Sequence, residues 1–326
     1  MVDRPNKPSA IAPAASAPQP TVDIADDNSS ITATLPSGEN VTVLLHGATV
    51  TSWKSGPGAE KKENLWVSEK AVLDGSKPVR GGIPLVFPIF GAPPANHATS
   101  KLPQHGFARN LRWEYLGKST SESTTSGDAG TGPTDNSVKL DFGLYSANLT
   151  DEQQDQWPYD FGLVYSVTLS RDTLQTMLNV RNEGQLGFDF QMLLHTYFRI
   201  GDIGSTAITG LSGVTYTDKV LNATEHAQAE NAVRIAGETD RVYKRIPQST
   251  TSIVEGDKPR FDVVRDNLPD TVVWNPFKEK AAAMADFAPD GDYVHMVCVE
   301  AGYVSDWVRL EPGDTWEGGQ RLRSLL

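Results

Sequence analysis

The sequence predicts an all-β protein, a sandwich of antiparallel sheets, and three observations support that prediction. Many short segments alternate apolar and polar residues with the period of two that a strand imposes. Gly, Pro, Asn and Asp separate these segments at short intervals, as expected for turns. Only two stretches, 151–156 and 276–286, have the pattern of short helices, the second with a proline at the first helical position. Short strands with few helices bury their apolar faces by packing sheet on sheet.

The chain length and composition predict one large folded domain. A chain of 326 residues with 38% hydrophobic content can bury a large core, and we expect the domain to span 26–326. Residues 1–25 are rich in Ala and Pro, so we expect a disordered tail there. Residues 118–137 are almost wholly Ser, Thr, Gly, Asp and Pro. They have no apolar face to bury, and we expect a long mobile hairpin loop.

Along the chain, the folded part begins near 21–27, and a meander of three short strands follows. A loop and edge segment is expected at 74–91, where Gly81 and Gly82 allow close approach of the backbone and two prolines argue against a central strand. The predicted strands are 31–35, 41–46, 49–54, 65–67, 137–144, 163–169, 174–180, 188–200, 233–235, 241–246, 252–255, 261–264, 271–274, 295–300 and 307–310.

The segment 188–200 is predicted to be one long strand whose two faces differ in character. Apolar side chains from Phe188 to Ile200 share one face, because successive side chains of a strand point to opposite sides. The other face carries Asp189, Gln191, His195, Tyr197 and Arg199. A merely solvated face is more often Lys, Glu and Thr, so this series predicts a concave surface that binds a polar ligand. His195 is the first candidate for a functional residue.

The composition also limits the partners and the compartment. A formal net charge of −12 would repel nucleic acids and anionic membranes, so we expect neither as a partner. The chain has no apolar run long enough to span a membrane and no apolar N-terminal region of the secretory type. The single cysteine, Cys298, excludes an internal disulfide framework and fits a reducing compartment. We therefore expect a cytoplasmic protein, and a monomer, because no exposed apolar stripe stands out.

The charge is unevenly distributed along this acidic chain. The 39 residues from Gly75 to Trp113 contain no Asp or Glu. Their cations are Lys77, Arg80, Lys101, Arg109 and Arg112, with His97 and His105 nearby. Each arginine alone could simply solvate a surface, but a carboxylate-free segment in an acidic protein favours a small anionic ligand such as a phosphate.

General acid–base catalysis is the chemistry that the remaining residues support. No nucleotide-binding or metalloprotease motif is present, and with six scattered histidines and one cysteine we expect no metal site. Acid–base work needs a histidine and a carboxylate that flank one substrate, and Glu300, after an apolar run, is the candidate carboxylate. Ordinary interpretations stay open: Glu300 as a solvated strand end, His195 as a hydrogen-bonded histidine, and Asp240 as the start of a turn.

Four motifs follow one another in a characteristic order. They are VRGGIPLVFP at 79–88, LPQHGFARN at 102–110, LHTYF at 194–198 and DTVVWNP at 270–276. Together they resemble the glucose-6-phosphate 1-epimerases, the hexose-6-phosphate mutarotases of the aldose 1-epimerase, or galactose mutarotase-like, superfamily. The resemblance runs from about residue 27 to the C-terminus, without the 118–137 loop. The chain departs from the family in its N-terminal tail and in Ala301, where a proline usually follows the glutamate.

The resemblance implies a large antiparallel β-supersandwich with an open cleft on one sheet. It implies that His195 is the catalytic acid and Glu300 the catalytic base. The family's substrate-binding positions correspond to Arg80, Gln104, Arg109 and Asp240. His105 and Trp274, which lie within two of the motifs, are further candidates.

The substrate implied by the resemblance is a hexose 6-phosphate, chiefly glucose 6-phosphate, and no metal or other cofactor is needed. Glu300 would take the proton of the C1 hydroxyl while His195 protonates the ring oxygen, so that the ring opens and recloses as the other anomer. Two alternatives stay open. A mutarotase for unphosphorylated sugars would not need Arg80 and Arg109, and a noncatalytic sugar-phosphate-binding β-sandwich would not turn over.

Overall fold

The structure, a computed structural model, describes residues 18–120 and 137–325. Residues 1–17 of the predicted tail and 121–136 of the predicted loop lie outside the described part. Two predicted boundaries need correction. Thr21–Ile24 is a strand, although the tail was predicted to reach residue 25, and residues 118–120 end a strand rather than begin the loop. Thr21–Ile24 pairs with β2, in agreement with the predicted start of the folded part near 21–27, and residues 118–120 pair with β8, which their polar sequence did not indicate.

The described residues form short strands with two short α-helices and a few 3-10 turns. The strands are β1 Thr21–Ile24, β2 Ser30–Thr34, β3 Asn40–Leu44, β4 Val50–Ser55, β5 Lys62–Glu63, β6 Leu85–Val86, β7 Glu114–Thr120, β8 Val138–Tyr145, β9 Phe161–Leu169, β10 Thr173–Asn182, β11 Phe188–Leu194, β12 Tyr197–Arg199, β13 Thr206–Thr209, β14 Thr215–Asp218, β15 Thr224–Ala227, β16 Ala232–Val233, β17 Thr239–Tyr243, β18 Thr250–Glu255, β19 Lys258–Asp266, β20 Asp270–Asn275, β21 Met296–Leu310 and β22 Thr315–Ser324. The helices are α1 Asp151–Gln156 and α2 Phe277–Ala283. Within 18–120 and 137–325, no helix is long and apolar enough to cross a membrane.

The strands assemble into three antiparallel sheets, which confirms the all-β prediction. The first sheet is the meander β1-β2-β3-β4-β5, and the second has the order β16-β13-β18-β19-β22-β10-β9-β8-β7. The third sheet has the order β15-β14-β17-β20-β21-β11-β6, with β12 also paired to β21. The predicted edge segment contributes β6, at one edge of this third sheet.

The two faces of the third sheet have different surroundings, because side chains alternate along each strand. Its inner face, with valines such as Val297 and Val299, packs into a large core that it shares with the other two sheets. Its outer face carries a smaller apolar cluster that includes Trp274 and Cys298. Glu300, two residues after Cys298, therefore belongs to the outer face.

Several predicted strands differ from those observed. The segment 188–200 is not one strand, since β11 ends at Leu194 and β12 begins at Tyr197. The segments predicted at 295–300 and 307–310 are one strand, β21. The pattern of alternation could not locate the break, because apolar residues resume in phase after it. It could not join the two halves of β21 because Gly302, Ser305 and Asp306 interrupt the apolar series.

Candidate active site

A cavity of about 250 Å³ opens on the outer face of the third sheet. Residues of the sheet and of the segments around β6 build its walls. The lining residues are Arg80, Phe90, Gln104, His105, His195, Lys219, Asp240, Val272, Trp274, Lys280, Met284 and Glu300. Cationic and anionic side chains share this small volume, so the cavity suits a polar, charged ligand.

Glu300 is a buried carboxylate in the middle of the third sheet. It lies in β21, opposite Val272 of β20, and its side chain is 1% exposed. Among the described residues, neither of its oxygens has a hydrogen-bond partner. Burial, with repulsion from Asp240 acting in the same direction, raises the pKa of Glu300 well above its usual value. A buried and unpartnered carboxylate is costly to the fold, which makes it a candidate for chemistry.

His195 lies at the break between β11 and β12. Its backbone N–H donates to the carbonyl oxygen of Pro84 at 3.0 Å, and the N–H of Tyr197 donates to that of Gly82 at 2.9 Å. The chain thus follows the segment 82–84 at this point. Gly82 has a φ of +67°, and a side chain there would collide with the backbone of Val50. The backbones of Gly82 and Val50 therefore approach each other closely, as the pair Gly81 and Gly82 predicted.

His195 and Glu300 face each other in the cavity. The His195 Nδ1 and Glu300 Oε1 atoms lie 3.3 Å apart, without the geometry of a hydrogen bond. The imidazole stacks on the Tyr197 ring at 4.7 Å between centroids and meets the Trp274 ring edge-on at 5.9 Å. Burial, with His105 and the nearby arginines acting in the same direction, lowers the pKa of His195 well below 6.5. A carboxylate with a raised pKa therefore lies beside an imidazole with a lowered one.

Arg80 is held at the cavity wall by two partners. Its Nε donates to Asp286 Oδ2 at 3.2 Å, and its Nη1 donates to the Tyr197 hydroxyl at 3.2 Å. Burial acts to lower the pKa of Arg80, but Tyr197 and Asp286 outweigh it and raise the pKa above its usual value. Tyr197 thereby joins two parts of the site, because its ring supports His195 and its hydroxyl holds Arg80.

Arg109 and His105 both belong to the motif at 102–110. Arg109 is not among the residues that line the cavity. Its Nη2 donates to the Gln104 backbone oxygen at 3.2 Å, and its Nε is buried without a hydrogen-bond partner among the described residues. Burial lowers the pKa of Arg109 to about 10, so it stays protonated at neutral pH. His105 Nδ1 accepts the Gly91 N–H at 3.2 Å. Burial, with nearby cations, lowers the pKa of His105 to about 3, which leaves a neutral ring with its proton on Nε2.

Asp240 and Lys219 form the opposite side of the cavity. The Lys219 N–H donates to the Asp240 backbone oxygen at 2.8 Å, which ties the end of β14 to β17. Burial raises the pKa of Asp240. The Lys219 Nζ lies 3.9 Å from the centroid of the Phe90 ring. Lys280, which also lines this side, pairs with Glu238 at 2.6 Å.

The structure brings most of the sequence-predicted site residues together. Those that line the cavity are His195, Glu300, Arg80, Gln104, Asp240, His105 and Trp274. Arg109 lies directly behind Gln104. The carboxylate-free segment contributes less than predicted, because Lys77, Lys101 and Arg112 are exposed and lie outside the cavity lining.

Sequence reasoning did not assign four contributors to the site. Lys219 and Lys280 are cations from segments far from the carboxylate-free stretch, and no motif marked them. Asp286, the partner of Arg80, follows helix α2 and has no local signal either. Tyr197 was placed on the polar face of its segment, and the His-Thr-Tyr-Phe motif could have identified it as a site residue.

The site contains one group of possible metal ligands. Ligand atoms of His195, Cys298 and Glu300 lie within 4.8 Å of one another. Burial raises the pKa of the Cys298 thiol well above its usual value, so this ligand is protonated. Arg80 and Arg109 would also repel a cation. The donor set therefore fits a metal ion poorly, in spite of its spacing.

The sequence profile of the family described as Aldose 1-epimerase matches residues 29–323, so this chain belongs to the aldose 1-epimerase family. It is an isomerase of that family, with its galactose mutarotase-like β-sandwich.

Three proteins are similar to this chain over most of its length. A protein from Cenchrus ciliaris named "Putative glucose-6-phosphate 1-epimerase" is 33% identical over 288 residues, covering 87% of this chain and 80% of the relative. One of the same name from Salmonella typhimurium is 35% identical over 262 residues, covering 80% and 79%. A crystal structure of "a putative mutarotase" from Salmonella typhimurium superposes with a TM-score of 0.76 at 28% identity, covering 94% of each chain.

Proposed function

We propose that this protein interconverts the α and β anomers of hexose 6-phosphates, chiefly glucose 6-phosphate. The observation that carries the proposal is the buried pair of His195 and Glu300, whose facing atoms lie 3.3 Å apart in a cavity with cationic walls. Family membership supplies the reaction class, and the names of two relatives point to the phosphorylated substrate.

The proposed chemistry is a paired proton transfer. Ring opening removes the proton of the C1 hydroxyl and adds one to the ring oxygen. The Glu300 carboxylate takes the first proton and the His195 imidazolium gives the second, so the ion pair becomes a neutral acid and a neutral imidazole. Because burial raises the pKa of Glu300 and lowers that of His195, burial favours this transfer. Rotation about the C1–C2 bond and the reverse transfer then yield the other anomer.

Arg80, which lines the cavity, is proposed to bind the 6-phosphate directly, and Arg109, which lies behind Gln104, is proposed to add positive charge on the same side. A guanidinium can donate two parallel hydrogen bonds to a phosphate, and this anchor fixes C1 relative to the catalytic pair. Asp240 and Gln104 are proposed to hold sugar hydroxyls. The phosphate has a second effect, since its negative charge offsets the arginines that lower the pKa of His195. Binding therefore favours the imidazolium that ring opening consumes.

A mutarotase for unphosphorylated aldoses is the second candidate. It would use the same pair, and Asp240 and Gln104 would suit its hydroxyls equally well. The cations of the cavity favour the phosphorylated substrate, because a neutral sugar gives Arg80 and Lys219 no counter-charge. A noncatalytic binding role does not explain why the buried Glu300 carboxylate has no hydrogen-bond partner among residues 18–120 and 137–325.

NMR saturation transfer between the two anomeric protons tests the proposal. Wild-type protein should exchange the anomers of glucose 6-phosphate far faster than buffer, and faster than it exchanges those of glucose. His195→Ala should lose about 10²- to 10⁴-fold. Arg80→Ala should slow exchange of the phosphorylated sugar more than that of glucose, whereas the matched control Arg112→Ala, at an exposed arginine outside the cavity, should not discriminate. Wild-type exchange no faster than buffer would contradict the proposal.

We also propose that the protein acts in the cytoplasm as a monomer. The single cysteine, Cys298, is buried and free, which suits a reducing compartment. Among the described residues, the exposed large apolar side chains are scattered along the chain, from Ile24 to Leu221. Sedimentation analysis would check the oligomeric state.

A further inference from the structure

Lys219 differs from the other cations that line the cavity. Arg80 is paired with Asp286, and Lys280 is paired with Glu238. Within residues 18–120 and 137–325, Lys219 has no carboxylate within ion-pair distance. Its charge is therefore available to a ligand without breaking an existing ion pair.

The backbone of Lys219 is fixed although its side chain is exposed. Asp218 Oδ1 accepts the N–H groups of Val220 at 3.1 Å and Leu221 at 3.2 Å, and its Oδ2 pairs with Arg241. The Lys219 N–H itself donates to the backbone of the neighbouring strand β17. The methylene chain of Lys219 is therefore the flexible part, and it can reposition the ammonium group while the backbone turn at 218–221 stays in place.

The ammonium group of Lys219 reaches across the sheet. Lys219 directly follows β14, which is the second strand from one edge of the third sheet, whereas Phe90 follows β6 at the opposite edge. The 3.9 Å contact of Nζ with the Phe90 ring centroid therefore joins the two sides of the cavity. An exposed cation–π contact is weak compared with a charge-assisted hydrogen bond to a phosphate dianion. A phosphorylated ligand can thus draw the ammonium away from the ring.

We propose that Lys219 is a specificity-determining residue that leaves Phe90 to bind the phosphate of the substrate, so that its side chain closes over the bound sugar phosphate. This rests on the proposed function, because it concerns the phosphorylated substrate of the same site. The lysine complements Arg80: the arginine is fixed by Asp286 and Tyr197 and orients the phosphate, and Lys219 adds a free charge from the opposite side. Preference for a phosphorylated sugar then depends on both sides of the cavity.

Three variants test this role. Lys219→Met keeps the length of the stem and removes the charge, and Lys219→Arg keeps the charge. Lys244→Met is the matched control, since Lys244 pairs with Glu225 and lies outside the cavity lining. The dissociation constant of inorganic phosphate is measured by calorimetry, and KM and kcat for glucose 6-phosphate are measured by NMR.

We expect Lys219→Met to raise both the phosphate dissociation constant and KM by roughly 10- to 100-fold, with a much smaller change in kcat. Lys219→Arg should recover most of the loss, and Lys244→Met should match wild type. A phosphate dissociation constant that Lys219→Met leaves unchanged would overturn the proposal. Phosphate binding that depends on Lys219 in a protein without anomer exchange would instead overturn the proposed function alone, so the two failures are distinguishable.

Discussion

Two buried carboxylates on adjacent strands of the third sheet differ in their hydrogen bonding. Asp270 of β20 is fully buried, and it accepts four hydrogen bonds. Its donors are the backbone N–H groups of Arg245 at 2.9 Å, Val304 at 2.8 Å and Ser305 at 2.7 Å, and the Ser305 hydroxyl at 2.9 Å. Glu300 of β21 is equally buried, yet within the described chain its two oxygens accept none.

The difference agrees with the proposed function, in which Asp270 stabilises the fold and Glu300 takes part in catalysis. The bonds of Asp270 join the end of β17 to the middle of β21, so its charge stabilises the sheet. Glu300 faces the cavity and His195, and among the described residues no hydrogen bond offsets the cost of its burial. Such a cost persists where activity requires the group, because stability and function are then in conflict. In the register of the third sheet, the structural Asp270 and the proposed catalytic base Glu300 are thus two positions apart.

The largest effect is expected for Glu300→Gln, which keeps the shape of the side chain and removes the base. The anomer exchange rate should fall by about 10²- to 10⁴-fold. The free energy of unfolding at neutral pH should stay the same or increase, because a neutral amide is less costly to bury than an unpartnered carboxylate. NMR exchange and chemical denaturation on one preparation check both. If Glu300→Gln kept the wild-type exchange rate, or had a lower free energy of unfolding, Glu300 would not differ from Asp270 in the way proposed.

Asp270→Asn should have the opposite profile. The amide presents N–H groups to backbone donors, so the free energy of unfolding should fall by roughly 3 kcal/mol. The exchange rate per folded molecule should change far less than in Glu300→Gln, since Asp270 lies outside the cavity lining. Urea unfolding monitored by tryptophan fluorescence measures the loss. Equal stability of Asp270→Asn and wild type would show that the four bonds do not anchor the sheet.

The stability of Glu300→Gln relative to wild type should depend on pH. Burial raises the pKa of Glu300 in the folded state above its ordinary value of 4.5. The folded protein therefore holds this proton more tightly, and the associated stability is present at low pH and is lost as the pH rises through the folded pKa. The advantage of the glutamine variant should increase with pH above 4.5. Melting curves across the pH range measure it, and a pH-independent difference would argue against the raised pKa.

The smallest effect is expected for Tyr197→Phe. This change keeps the ring under His195 and removes the hydroxyl that accepts from Arg80. One lost hydrogen bond should lower kcat/KM for glucose 6-phosphate by about 5- to 10-fold. Tyr243→Phe, which removes a buried hydroxyl bonded to Gln228 away from the cavity, is the matched control. If both changes lowered kcat/KM equally, Tyr197 would have no specific role in positioning Arg80.

The contrast between the two carboxylates also marks the limit of sequence analysis. Alternation of apolar residues predicted strands in each of the three sheets and placed Glu300 in one, because burial depends on a period that the chain displays. It missed several strands, among them β7, β14, β15 and β22, and it placed His195 inside a strand rather than at the break between β11 and β12. Hydrogen-bond satisfaction depends on residues distant in sequence, so the sequence could not distinguish Asp270 from Glu300. Lys219 was missed for the same reason, since only the sheet order brings its side chain to Phe90. The four motifs contain many of the residues that line the cavity. Its two lysines come from other segments, and only the fold shows that they belong to it.

The central claim is that His195 and Glu300 act as one catalytic unit, and a double-mutant cycle tests it most directly. The anomer exchange rate of glucose 6-phosphate would be measured for wild type, His195→Ala, Glu300→Gln and the double variant. Each single change should remove most of the rate, and the double variant should be little slower than either, because a proton taken and a proton given form one step. Single variants that keep the wild-type rate, or losses that simply multiply in the double variant, would contradict this account.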